Sequence, residues 1–424
     1  MAAQPWWTRR AAVCLVFSYS RGMTLKIIIV GAGPVGAVTA LAMAQQGLSV
    51  TLLEADAVYD EKPRAATTHA STLEMLAALG IADEVIAQGL VSPRFQHWDR
   101  VTGELVAEFD YARLAGETAY PYALQCESHK LVNIALGRLA HYTNATVLRQ
   151  HEVTRVTQTG DSVEVDSQTP DGMVTLRADF AIGTDGARSV VRKAIGAQFE
   201  GYTFPERFVG MTTPFDFEAH YGYSNRSYFA DPARWVALFK VAGNDMQGIW
   251  RVISPATSDE PDETVLAEGA LQQRMQHFFP REAAFDIRYR GVYRFHQRVA
   301  SVFRAGRVFI AGDAAHVNNP AGGMGMNSGI HDGMELTAIL AQTMRDGIDE
   351  ALLDRYQRRR RALNIEVVQR DTVLNKRRLE ERDPAVRRAH LDELRHTAND
   401  PAAHHQFLLR ASLIESVRKA VTIV

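Results

Sequence analysis

The sequence predicts a mixed α/β chain (α+β overall): a Rossmann-like parallel sheet, an antiparallel β-sheet inserted into it, and helices at the C-terminal end. Three observations predict it. A strand–turn–helix–strand unit opens at Lys26, a buried strand with a glycine-rich loop returns at Arg307, and alternating β-type segments fill much of the region between.

Lys26–Val30 is short, apolar and β-branched, as a strand buried on both faces should be. It runs directly into Gly31-Ala32-Gly33-Pro34-Val35-Gly36, then into the alanine-rich helical run Ala37–Gln46, which Gly47 is placed to end. Leu48–Leu53 is the next strand and closes on Glu54. Ser71-Thr72-Leu73-Glu74 matches a capping box ahead of an apolar helix ending near Gly80. From Phe95 to Tyr122 short alternating pieces suggest an excursion into another sheet, and Ser128–Tyr142 reads as a helix. Thr146–Val165 and Met173–Ile182 alternate like antiparallel strands around a turn at Thr169–Gly172. A β-rich stretch spans Gly201 to Tyr293, with Trp235–Val241 and Gln247–Ile253 as its clearest strands. Arg307–Ala311 is a buried strand before a loop and a helix through Leu336–Met344, and the tail beyond Leu352 is helical and charged.

The 424 residues are 46% hydrophobic and 23% charged, ample for a large core and more than one domain. A formal net charge of −2 supplies no field that would draw nucleic acid or an anionic membrane, so neither is expected as a partner. No segment has the roughly 18 uninterrupted apolar residues of a membrane span. Cys14 and Cys126 make neither a metal-ligand spacing nor a framework of bridges, which suits a reducing cytoplasm. Thr8-Arg9-Arg10 and the apolar run Ala11–Phe17 superficially resemble an export signal. The run is short, no clear cleavage site follows, and Met23 opens a conventional start, so residues 1–22 are expected to be a dispensable or over-long extension, with targeting as the alternative. Arg358-Arg359-Arg360-Arg361 sits among Asp354, Glu366 and Asp371, the pattern of a solvated helix face.

The chemistry begins at the first turn. Gly31 permits the tight turn, Gly33 the close approach of a pyrophosphate, and Gly36 the packing of helix on strand. The helix entered at Pro34 and Val35 aims free N–H groups at phosphates. Glu54, eighteen residues past Gly36, stands where an acid accepts from a ribose.

Arg307-Val308-Phe309-Ile310-Ala311-Gly312-Asp313-Ala314-Ala315-His316 resembles the second flavin-binding fingerprint of flavoprotein monooxygenases of the p-hydroxybenzoate hydroxylase type. Gly183-Thr184-Asp185-Gly186-Ala187-Arg188-Ser189 resembles their middle Asp-Gly motif. With the first turn, all three occur in the family order between Met23 and Arg370. The resemblance implies an FAD-binding domain in three parts (23–94, 125–200, 295–370), a substrate domain in two (95–124, 201–294), and a C-terminal helical region (371–424). That last region is expected to pack on the flavin-binding domain or to build a homodimer contact.

The resemblance also implies site roles. Asp313 meets the ribityl hydroxyls. Gly323, Gly325, Met326 and Asn327 bring backbone N–H groups to the flavin ring, where they favour charge on the reduced pyrimidine. Pro320 matches a proline whose carbonyl faces the substrate hydroxyl, with loop stiffening as the alternative. Arg64 corresponds to the arginine near flavin and nicotinamide, and His69 falls on the same segment, where it would otherwise satisfy backbone groups. Gln125 occupies the place of a flavin-chain contact that is commonly arginine, and Asp185 lies near the flavin or closes its own turn. His316 reads as structural. For the substrate wall, Tyr202, Tyr228, Trp235, Trp250 and Arg251 are candidates. Tyr228 and Arg251 are the two singled out, the arginine as a grip for a carboxylate if it points inward.

The implied activity is a single-component monooxygenase. FAD is reduced by NADH or NADPH, O2 forms a flavin C4a-hydroperoxide, and its distal oxygen goes to a small aromatic or heteroaromatic substrate activated by a hydroxyl or amino group. Epoxidation, N-oxidation, a non-oxygenating FAD reductase and a non-catalytic FAD-bound module are the alternatives.

Overall fold

The computed structural model describes residues 24–59, 61, 64–256 and 260–424. Cys14 and the run Ala11–Phe17 lie outside the described residues.

Lys26–Val30 forms the heart of a six-stranded sheet ordered Arg304–Ala305, Val308–Ile310, Phe180–Gly183, Lys26–Val30, Ser49–Leu53, Ala145–Leu148. Every pairing is parallel except that between the two strands at the Arg304 edge. Ile27, Ile29, Leu52, Phe180 and Phe309 are all buried in one core with Leu336, Ile339 and Leu340 of the long helix Gly325–Asp346. The expected antiparallel run from Thr146 divides in two. Ala145–Leu148 joins the parallel sheet, Gln150 turns the chain at φ 55°, and Glu152–Thr159 leaves for a small meander with Ser162–Thr169 and Gly172–Ala178.

The β-rich region builds an eight-stranded sheet. Its order is His316–Val317, Tyr289–Ala300, Phe199–Thr213, Ile249–Ala256, Val236–Val241, Arg226–Ala230, Arg94–Asp99, Glu104–Asp110. The pairing of Arg226–Ala230 with Arg94–Asp99 is parallel and joins segments far apart in sequence. One face packs on a helix the β reading omitted, Glu268–Phe278, whose buried Leu271, Arg274, Met275 and Phe278 follow helical spacing. The other face, with Phe95, Phe109, Phe208 and Tyr228, is covered by Leu379, Leu391, Leu394 and Leu408 from the C-terminal helices. The tail thus packs first on this sheet. Its last turns also reach the helix Glu350–Leu363, where Arg359 Nε donates to the Ile423 carbonyl.

Two further expectations fail. The helix after Arg64 starts at Ala70 with His69 as its N-cap and no side-chain cap, so Ser71–Glu74 is no capping box. Ser71 and Thr72 point inward to Ser412 and His331, and Glu74 accepts from Thr118. The arginine run is likewise no solvated face. Arg359 and Arg360 are buried on the helix Gly325–Asp346, donating to Glu335 (2.8 Å) and Asp332 (2.6 Å), while Arg358 alone is exposed. Charge composition alone cannot distinguish a solvated face from one opposed by buried acids.

Candidate active site

Gly31 sits at φ 97°, and a Cβ there would lie 2.6 Å from the Thr184 carbonyl oxygen. At Gly36 a Cβ would run into the Gly31 carbonyl oxygen, so helix and turn touch backbone to backbone. Gly33 differs: a Cβ there would meet nothing within 4 Å. The turn is closed on its packed sides and open on one. Pro34 begins the helix, where its missing N–H costs nothing. Val35 fits against Gly312 and Gly329, so the first turn and the second glycine-rich segment interlock. Glu54 accepts from the Ala32 N–H at 2.7 Å and the Asp56 N–H at 3.0 Å, fixing its carboxylate beside the turn.

Asp313 follows the strand Val308–Ile310 and opens onto the cleft with no side-chain hydrogen bond among the described residues. The surrounding protein raises its pKa, opposed by the nearby charges of His316 and Arg64. Arg64 is therefore close to it, and the exposed guanidinium is set at the cleft rather than in the core. His316 is structural: its Nε2 lies 2.7 Å from Asp332, which also accepts from the Gly312 N–H and from Arg360. Asp185 spends its carboxylate on Ser189, Val190 and Val191, closing the turn and capping the short helix after it. Gln125 is fully buried; its Oε1 accepts from Thr67, and its Nε2 has no partner among the described residues.

Pro320 is exposed, and its carbonyl accepts from the Gly323 N–H at 2.9 Å in a turn. Gly323, at φ 68°, lies against Thr67, and Gly325 begins the long helix. The Asn327 side chain ties three backbones together. It accepts from the His69 N–H at 2.9 Å and donates to the carbonyls of Thr67 (2.8 Å) and Gly323 (2.7 Å). Its own N–H and that of Met326, in the first helical turn, have no acceptor among the described residues. His69 is buried, its Nε2 2.9 Å from the Gly322 carbonyl, so the neutral ring donates there and holds the loop. Burial, with Arg226 nearby, pushes its pKa down to about 3.

These groups fit FAD. The open side at Gly33, the unpartnered Gln125 Nε2, the free Asp313 carboxylate and the free N–H groups at Met326 and Asn327 would accommodate a long ligand with phosphates, hydroxyls and a polar ring.

Beside the same loop is a cavity lined by Phe95, His97, Arg226, Tyr228, Ala321, Gly322, Met324, Asn375, Leu379, Phe407 and Ala411. The large sheet forms one wall, the loop a second, and the C-terminal helices the third. A π-helical turn, Asn364–Gln369, precedes the helix Arg370–Glu380, and Thr372 and Asn375 on that helix engage Asn319 and Ala321 of the loop. Of the expected wall, Tyr228 reaches this cavity. Tyr202 is exposed, Trp235 is core, and Trp250 is fully buried on the sheet's opposite face. Arg251 is also set apart, its Nη1 donating to the Arg64 carbonyl. One donor of the fork that was expected to grip a carboxylate is thus spent on backbone.

Residues 24–371 match the model of a family described as "FAD binding domain". The chain is 33% identical over 386 residues to para-nitrophenol 4-monooxygenase of Pseudomonas sp. (strain WBC-3), covering 90% of this chain and 94% of that one. It is 34% identical to 6-hydroxy-3-succinoylpyridine 3-monooxygenase of Pseudomonas putida (strain DSM 28022 / S16), over 85% and 91% of the two. The crystal structure of p-nitrophenol 4-monooxygenase from Pseudomonas putida DLL-E4 superimposes with a TM-score of 0.86 at 32% identity, over 93% of this chain and 98% of that one. The chain belongs to the FAD-dependent aromatic hydroxylases of the p-hydroxybenzoate hydroxylase type. It is a monooxygenase that uses FAD with NAD(P)H and O2. No helix among the described residues is long and apolar enough to cross a membrane.

Among the residues of the hydroxylase's cavity that sequence reasoning missed are His97 and Arg226. Burial, with Arg378 and Arg226 close by, pushes the His97 pKa down to about 3, so its ring is neutral where it stacks 5.2 Å from Tyr228. Both residues sit on strands at alternate positions with Phe95 and Tyr228, and that alternation was their one signal.

Proposed function

We propose that the chain hydroxylates a small phenolic ring held in the cavity between the large sheet and the loop Ala321–Met324. The observation that carries this is the cavity's position: its wall of Ala321, Gly322 and Met324 is the same loop that leads into Met326 and Asn327. Substrate and flavin sites therefore share one backbone segment. Two relatives are named for para-nitrophenol and 6-hydroxy-3-succinoylpyridine, aromatic rings that each carry a hydroxyl.

Gly31, Gly33 and Gly36 with the helix from Pro34 would hold the FAD pyrophosphate, and Glu54 its ribose. Gln125 and Asp313 would bond the ribityl chain, Met326 and Asn327 N–H groups the pyrimidine, and Arg64 would add positive charge nearby. FAD, when bound, supplies the redox and oxygen-transfer chemistry. Phe95, Leu379 and Phe407 exclude water from the ring, and Tyr228 and His97 orient it. His69 fixes Gly322 and so positions the loop. Pro320 serves the loop turn. The free thiol of Cys126, buried and pushed up to about 12, is unreactive and suits a cytoplasmic setting.

In the test, FAD-loaded protein is given NAD(P)H, labelled dioxygen and a panel of substituted phenols. One labelled oxygen atom is expected in the ring product and the other in water, with one NAD(P)H consumed per product. NAD(P)H consumption that yields hydrogen peroxide alone across the panel sinks the proposal.

A further inference from the structure

Arg226 is 3% exposed, yet it lines the cavity. Its Nη1 donates to the Tyr111 hydroxyl at 2.8 Å and its Nη2 to the Tyr228 hydroxyl at 3.4 Å, while its Nε has no partner among the described residues. The guanidinium carbon lies 5.1 Å from the centre of the Phe95 ring. No carboxylate pairs with it among the described residues. The other cations of this region are matched: Arg378 by Glu393 at 3.0 Å, and Lys376 by Glu206 and Glu380. The remaining titratable groups around Arg226 are His69, His97, Tyr111 and Tyr228, and none brings negative charge at neutral pH. A buried cation held only by neutral groups is costly, and an anionic ligand relieves that cost.

We infer that Arg226 is the specificity residue of this cavity, holding the substrate as an aromatic oxyanion, a ring whose hydroxyl has lost its proton. The geometry favours a single anionic oxygen over a carboxylate. Both Nη atoms are already engaged by tyrosines, which leaves no free two-pronged fork for a carboxylate, and the buried Nε is the one donor of the group without a partner among the described residues. An ionised hydroxyl also makes the ring more electron-rich, so the contact that selects the substrate prepares it for electrophilic oxygen. This inference rests on the hydroxylase reading above.

Holoenzyme is titrated with 4-nitrophenol and with 4-nitrotoluene, which replaces the hydroxyl by a methyl group of similar size. The pH is held below the phenol's own pKa, and the visible band of the nitrophenolate is followed. Binding is expected to bring up that band, with the toluene binding at least about tenfold more weakly. Arg226→Gln removes the band and brings the two affinities within about threefold, while Arg226→Lys, which keeps the charge, restores part of the preference. Flavin content and melting temperature are recorded for each variant. Tyr111→Phe removes one anchor and leaves the cation, so it retains the band. A wild-type holoenzyme that leaves 4-nitrophenol protonated, or fails to bind it, overturns the inference whether or not any variant folds. Turnover separates the two readings. Nitrophenolate bound but no phenol hydroxylated removes the hydroxylase reading, whereas phenols hydroxylated from the protonated form remove this inference and leave that reading standing.

Discussion

In the proposed nucleotide cradle, Gly31, Gly33, Gly36 and Glu54 come from one strand–turn–helix–strand unit, and Asp313, Met326 and Asn327 from one later loop and helix. In the proposed substrate cavity, Phe95 and His97 come from one strand, Arg226 and Tyr228 from another, Gly322 from a loop, and Asn375, Leu379 and Phe407 from two further helices. The cradle's tight contacts are between backbones, whereas the cavity's are between side chains. Backbone contact is unforgiving of substitution. Side-chain contact can be rebuilt, which suits the part of an enzyme that selects a substrate.

The sharpest way to break that comparison is at Gly36. Gly36→Ala drives a methyl group into the Gly31 carbonyl, and the expected product has essentially no bound flavin, read from the flavin-to-protein absorbance ratio. A yellow, fully loaded Gly36→Ala protein would show that the cradle yields as easily as the cavity.

Acid comes next. His69 and His331 are buried with pKa values pushed down from 6.5 to about 3, chiefly by desolvation. The unfolded chain takes up their protons first as pH falls through 6.5, while the folded protein takes them up only near 3. Stability is therefore full above that window and drops within it by up to about 1.4 kcal/mol per pH unit for each ring. Denaturant melts between these limits should show the slope, and His331→Gln should flatten it.

Gly33→Ala sharpens the contrast within the cradle. Its methyl group enters open space, so the FAD-free melting temperature is expected to be unchanged while FAD affinity falls about tenfold. A shift in the FAD-free melt would mean that Gly33 is structural like its neighbours. The smallest effect belongs to Phe407→Ala in the cavity. Phe407 stacks 4.2 Å from Phe109, and its loss should raise KM about fivefold and waste more NAD(P)H as peroxide, with flavin content unaltered. Normal KM and coupling would place the substrate elsewhere.

The same contrast explains what was legible in the sequence. A glycine needed for a turn or a close approach is a local requirement, so the triad and the segment around Asp313 could be read in place. Burial by a distant partner is not local. Arg359 and Arg360 look like solvent-facing charge until Asp332 and Glu335 are set opposite them. Ser71 and Thr72 spell a capping motif, yet the chain enters the helix earlier and turns both hydroxyls inward. Arg251 and Arg226 lie on strands of one sheet, and nothing in their spacing says which one the Arg64 carbonyl will occupy and which will face the cavity. Glu268–Phe278 is the exception, since its buried positions repeat with helical period and were there to be read.

Val35 carries a consequence for heredity. Its branched side chain fills the room left by two missing ones: a Cβ on Gly312 would come within 2.9 Å of it, and one on Gly329 within 2.6 Å. Shrinking Val35 would free neither glycine, because Gly312 sits at φ 59° and a Cβ on Gly329 would also lie 2.9 Å from the Gly312 Cα. Across descendants of this gene, positions 312 and 329 should therefore stay glycine whatever stands at 35, while Phe95, Tyr228 and Phe407 drift with the diet of the organism that carries them.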